Sequence, residues 1–121
     1  MRQEDKDLLL RDLCGRLPYG VKMSHIADDE HSPNTLIGIA KDMITLEGLG
    51  GYECVDVEHY KPYLFPLSSM TEEQKTSHNF LKHSAYASPA KLIDFYNKNH
   101  IDYRGLILMD LAIDATNLNI Y

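Results

Sequence analysis

Positive charge is scarce in this chain: 12 lysines and arginines stand against 18 aspartates and glutamates, a net charge of −6 in 121 residues. That is the wrong sign for a protein whose affinity rests on neutralising phosphates, so binding to nucleic acid or to an anionic membrane is not expected. Cysteine is nearly absent. Cys14 and Cys54 form no CxxC or Cys/His pattern with metal-ligand spacing, and two reduced, partly buried thiols are expected rather than a disulfide. Long apolar runs are missing as well. No stretch approaches the ~20 residues needed to span a bilayer. The three leucines after Met1-Arg2-Gln3-Glu4-Asp5-Lys6-Asp7 are too few, and their flank too charged, for a signal-peptide core. A soluble cytoplasmic protein is expected. What the chain does hold is apolar residues, 44% of the total, enough for one domain with a real core over residues 1–121.

Periodicity divides that domain into three parts. Leu9, Leu10, Leu13, Cys14 and Leu17 recur at helical intervals, which predicts a helix over residues 4–17, stopped by Pro18. Residues 19–67 read as a strand region, with strands near Val21–Ile26, Thr35–Lys41, Met43–Glu47 and Tyr52–Val57. The segments Asp28-Asp29-Glu30-His31-Ser32-Pro33-Asn34 and Gly48-Leu49-Gly50-Gly51 are the loops between them. From residue 71 the pattern turns helical, to about residue 115. Thr71 with Gln74 makes a capping box before a helix from Glu72 to about Ala85, and Ser88-Pro89 repeats the start signal for a second helix to about Asn99 that buries Leu92, Ile93, Phe95 and Tyr96. Asp102 caps a last short helix, although Leu106 to Ala115 is apolar enough to be a strand instead. The expected fold is α+β: an N-terminal helix, a small antiparallel sheet or SH3-like partial barrel, and two to three C-terminal helices. Leu13, Leu17, Val21, Ile37, Ile39, Val55, Val57, Leu92, Phe95 and Leu106 are its expected core.

Three stretches carry a resemblance: Asp12-Leu13-Cys14-Gly15-Arg16-Leu17-Pro18-Tyr19-Gly20-Val21-Lys22, Lys61-Pro62-Tyr63-Leu64-Phe65-Pro66-Leu67-Ser68-Ser69-Met70-Thr71-Glu72-Glu73-Gln74, and Asn99-His100-Ile101-Asp102-Tyr103-Arg104-Gly105-Leu106-Ile107. They cover about a third of the chain and resemble a family of short uncharacterised proteins of gut bacterial genomes and their prophages. That resemblance implies phage descent. It implies no activity, cofactor or catalytic residue.

The candidate sites divide by chemistry. Gly48-Leu49-Gly50-Gly51 lacks the lysine and hydroxyl of a phosphate-binding loop and reads as a hairpin turn. His78 and His83 are five residues apart, too far round a helix to share a metal, and Asp28-Asp29-Glu30-His31 lacks the spacing of a calcium loop. No metal and no cofactor are expected. Asp56, Glu58 and His59 could supply general acid and base if burial shifted their pKa values, which makes a small hydrolase or metal-dependent enzyme the alternative reading. The leading reading is non-enzymatic. Residues 18–67 hold five of the six excess negative charges, and Tyr52, Tyr60, Tyr63 and Phe65 cluster there with Glu53, Asp56 and Glu58. Tyrosine offers apolar area with a polar tip, as interfaces favour, and the surrounding carboxylates suit a basic or proline-containing peptide. On a continuous strand Tyr52, Asp56, Glu58 and Tyr60 share one face, so these four are the expected contacts to a protein partner.

Overall fold

The structure is a computed structural model and describes residues 1–28, 32–48, 50–85 and 87–121. Helix α1 (Gln3–Arg16) opens the chain and gives way to a 3₁₀ turn, Leu17–Tyr19, in which Pro18 is tolerated because it sits at the start of the turn. Gly20, at φ 65°, then takes the left-handed conformation that redirects the chain into the sheet. Five strands follow: β1 (Lys22–His25), β2 (Asn34–Ala40), β3 (Met43–Gly48), β4 (Gly51–Asp56) and β5 (Tyr60–Pro66). They lie in the order β4-β3-β2-β1-β5, with every neighbouring pair antiparallel. A 3₁₀ turn of three residues, Val57–His59, carries the chain from the edge strand β4 to β5 at the other side of β1. So short a link requires a strongly curled sheet. The barrel is nevertheless open, because among the described residues β4 pairs only with β3.

Two helices follow. Helix α2 (Glu72–His83) starts at the Thr71/Gln74 capping box, with the Thr71 hydroxyl accepting the Gln74 N–H and the Gln74 side chain accepting the Thr71 N–H. Helix α3 (Pro89–Lys98) starts at Ser88, whose side chain accepts the Lys91 N–H. Helical structure ends there, short of the expected residue 115. Two short strands, β6 (Ile101–Asp102) and β7 (Ile113–Asp114), instead pair in parallel with the end and the middle of β5. Left-handed backbone at His100 (φ 57°), Gly105 (78°) and Asp110 (60°) breaks any helix in this stretch. Asp102 does act as a cap, but of a turn: its two carboxylate oxygens accept the N–H groups of Leu106 and Ile107, both at 2.9 Å.

The core gathers Leu9 and Leu13 of α1, Met23, Leu36, Ile44, Leu46 and Leu64 of the sheet, Val21, Val57, and Leu106 and Leu111 of the C-terminal segment. Of the expected core, Leu13, Val21, Val57 and Leu106 are buried, while Leu17, Ile39, Val55, Leu92 and Phe95 are half-buried. Ile37 is exposed, because a register shift between Leu36 and Gly38 turns it outward. Helix α3 buries only Asn97, and Ile93 is exposed, because α3 packs on α2, on α1 and on the short edge strand β6 rather than across the face of the five-stranded sheet. Both cysteines are free and exposed, not partly buried. Among the described residues no helix is long and apolar enough to cross a membrane.

A buried ion pair ties α1 to the C-terminal segment. Arg16, fully buried, donates through Nε to Asp12 at 2.7 Å and through Nη2 to the Ile101 carbonyl at 2.7 Å. Arg104 donates to the other Asp12 oxygen at 3.2 Å, and Arg104 and Arg16 both approach the Tyr103 ring. Beyond it the hydroxyl of Tyr121 accepts the Lys22 N–H (2.9 Å) and donates to the Tyr63 carbonyl (2.7 Å), closing the chain end onto β1 and β5.

Candidate partner-binding surface

The β3–β4 hairpin fixes the geometry of the acidic, tyrosine-bearing region. Its register runs without a bulge from Met43 opposite Asp56 to Gly48 opposite Gly51, and just beyond it the Val57 N–H donates to the Asp42 carbonyl at 3.1 Å. Hydrogen-bonded and non-bonded pairs alternate in an antiparallel ladder. The 42/57 bond therefore makes 44/55, 46/53 and 48/51 the bonded pairs. Residues 52 and 54 direct their N–H and C=O groups the other way, to the free edge of the sheet. Gly51, Tyr52, Glu53 and Cys54 are all exposed, Tyr52 at 74%, so among the described residues nothing covers that edge. Tyr52 and Cys54 lie opposite Glu47 and Thr45 on one face, and Glu53 lies opposite the buried Leu46 on the other.

The four expected contact residues do not form one face. Alternation of side chains needs an unbroken strand, and the strand stops at Asp56 because the Asp56 carboxylate accepts the Glu58 N–H at 2.9 Å and so caps the 3₁₀ turn. Glu58 lies in that turn, 3.5 Å from His59. Tyr60 belongs to β5 and is only 6% exposed, its ring edge-on to His25 with centroids 5.2 Å apart. Its hydroxyl pKa is raised by burial and, secondarily, by the charge of Glu53. Tyr52 alone of the four is fully available.

Asp56 is occupied by a residue outside the expected set. Lys6 of α1 lies 3.1 Å from Asp56 and 3.6 Å from Asp42. The Glu58 amide, then Lys6, hold the Asp56 carboxyl below its ordinary pKa, and the hydrogen bond to Asp56 raises Lys6. A carboxylate held ionised by two donors is poorly suited to general acid–base work. The signal for Lys6 was in the sequence: Lys6, Leu9, Leu13 and Arg16 follow helical spacing, so both cations belong to the buried stripe of α1.

The remaining candidates are placed as follows. His78 bonds the Tyr96 hydroxyl at 2.8 Å in the α2–α3 hairpin, while His83 is exposed. Gly48 and Gly51 face each other across the hairpin, and Leu49 lies outside the described residues, as do Asp29, Glu30 and His31 of the 28–31 acidic loop. Among the described residues no three His, Cys, Asp or Glu side chains converge as a metal-ligand set. No protein-family model, curated protein or solved structure matches the chain.

Proposed function

We propose that this protein is a non-enzymatic, cytoplasmic protein-binding module, an accessory factor of phage descent, that engages its partner by accepting an extended segment along the free edge of β4. The observation that carries this reading is the outward row of backbone groups at Tyr52 and Cys54, without partners among the described residues, on a strand that is exposed, regular and free of proline. Sheets usually protect such an edge by shortness, proline or a bulge. The opposite edge has that protection: β6 is two residues long, and β5 carries Pro62 and Pro66. Strand addition supplies affinity through main-chain hydrogen bonds and specificity through alternate side chains. The resemblance to short prophage proteins supports the descent. The occupation of Asp56 by Lys6 and by the cap weighs against the hydrolase reading of Asp56, Glu58 and His59.

A proline at position 54 tests the proposal cleanly, because the Cys54 N–H is not part of the β3 ladder and its loss leaves the fold's own bonds intact. Affinity purification from the host with mass spectrometry is expected to recover a partner with the wild type and with Cys54→Val, and to lose it with Cys54→Pro. A partner retained equally by Cys54→Pro at unchanged melting temperature would overturn the strand-addition reading.

A further inference from the structure

We infer that the segment added to β4 is a basic stretch of another protein with two adjacent cationic residues, one placed on Glu53 and the next on Tyr52 and Glu47. The inference rests on the strand-addition reading and specifies its partner.

Residues 43–60 contain four carboxylates, Glu47, Glu53, Asp56 and Glu58, and no lysine or arginine. Asp56 is already engaged by Lys6, and Glu58 lies off the strand in the 3₁₀ turn, beside the His59 ring. Glu47 and Glu53 have no ion-pair partner among the described residues. They also lie on opposite faces of the hairpin, Glu47 across from Tyr52 and Glu53 across from Leu46. Consecutive residues of an added strand point to opposite faces in the same way. A single basic residue could therefore meet only one of these carboxylates, whereas two in succession meet both.

Each face also offers room for the stem of a long side chain. Beside Glu53 lies a recess of about 280 Å³, walled by Asn34, Leu46, Tyr52 and the glycines Gly48, Gly50 and Gly51. Among the described residues nothing lies within 4 Å of where a Cβ on Gly50 or Gly51 would sit, so these two glycines leave the recess open, whereas at Gly48 the Asn34 side chain already fills that space. Leu46 gives the stem an apolar floor, and Glu53 with the Asn34 amide oxygen can accept from an ammonium or guanidinium group. On the other face Tyr52, 74% exposed, stands opposite Glu47, so a cation drawn to that carboxylate has an aromatic ring beside it. A second copy of this chain is the wrong occupant, since antiparallel pairing of two β4 strands would set like charges side by side.

The probe is a capped heptapeptide of valine and threonine with a central lysine–arginine pair, compared with the same peptide carrying two glutamates and with a version N-methylated at alternate residues. Binding is followed by titration calorimetry and by the amide resonances of residues 51–56. The lysine–arginine peptide is expected to bind about tenfold or more tightly than the glutamate peptide at low salt, with the gap narrowing as salt is raised. Glu53→Gln should weaken it about two- to fivefold, the range of one cross-strand ion pair. The N-methylated peptide should not bind, nor should the parent peptide bind Cys54→Pro. Equal binding of the basic and acidic peptides, both lost in Cys54→Pro, would overturn the basic partner while leaving strand addition standing. Binding of the basic peptide that survives Cys54→Pro and N-methylation would overturn strand addition itself. Self-association of the chain through β4, with no binding of the basic peptide, would overturn the inference in favour of a second copy.

Discussion

Replacing Asp12 with alanine removes the counter-charge of a guanidinium that has no route to water. Arg16 and Asp12 are 0% and 1% exposed, and Asp12 is the only carboxylate among the described residues that bonds Arg16. After the change the Ile101 carbonyl alone accepts from Arg16, whose Nη1 already has no partner among the described residues. An unpaired buried charge of this kind costs about 3–5 kcal/mol. Against a total stability of about 5–15 kcal/mol that is a large fraction, and for a chain of this length it corresponds to a fall in melting temperature of about 12–20 °C. Arg104→Ala provides the contrast. Its side chain is 27% exposed, so solvent screens the bond to Asp12 and the loss should be about 1 kcal/mol. The double variant Asp12→Leu with Arg16→Met removes both charges and should restore most of the stability, since apolar replacement of a buried pair is often neutral or stabilising. Urea unfolding followed by circular dichroism, with the slope checked for constancy, measures all three. A cost for Asp12→Ala no larger than that of Arg104→Ala, or a double variant as weak as Asp12→Ala, would refute the claim that desolvated charge makes this site sensitive.

Four further outcomes are expected. His100 is half-buried, stacked on Tyr121 with ring centroids 3.8 Å apart, and burial, then Arg16 and Lys22, lower its pKa from 6.5 to about 4. The unfolded chain therefore binds the proton more readily, so this contribution is complete above pH 6.5 and is lost as pH falls toward 4; urea midpoints across that window should show the loss, and His100→Asn, which suits the left-handed backbone, should flatten it. Proline at Val55, whose N–H belongs to the β3 ladder, should lower the urea midpoint by the equivalent of about 1–3 kcal/mol, whereas proline at Cys54 should cost far less, and equal effects would mean that the edge assignment is inverted. Leu13→Ala should cost about 3–5 kcal/mol at a fully buried position, and the half-buried Leu92→Ala clearly less, by the same assay. Gly15→Ala should fail to deliver the usual gain of about 1 kcal/mol in helix propensity, because its Cβ would lie 2.8 Å from the buried Asn97 amide; a rise of several degrees in melting temperature would show that Asn97 yields.

Features governed by neighbouring residues were legible in the sequence. The Thr71 and Ser88 caps each need only a hydroxyl and a backbone N–H three residues on, and both helices start where those residues stand. The strands β1 to β4 were readable for the same reason, since tight loops separate their β-rich runs. The C-terminal segment was not. Its course depends on left-handed backbone at His100 and Asp110, residues that carry no glycine-like signal, and on β5 providing an edge for two parallel bridges from far along the chain. The apolar run 106–115 satisfied both helical and strand patterns because Leu106, Leu111 and Ala112 are drawn to the core from a series of turns.

The site shows the same division at closer range. Alternation from Tyr52 to Tyr60 is intact as a string of letters, but Asp56 can bond the amide two residues ahead, and that local bond ends the strand. A carboxylate that looked like a surface contact is thus a cap, and its charge is met by Lys6, which lies on the buried stripe of α1. Whether a strand lies at an edge or in the middle of a sheet is a property of strand order, and no pattern within β4 states it. Once the order is known, the rest follows from register. The bond from Val57 to Asp42 decides which amides face β3, those of 52 and 54 face outward, and Glu47 and Glu53, which have no cation among the described residues, flank that outward row on its two faces. The excess negative charge visible in the composition thereby acquires a location and a direction, which composition alone could not supply.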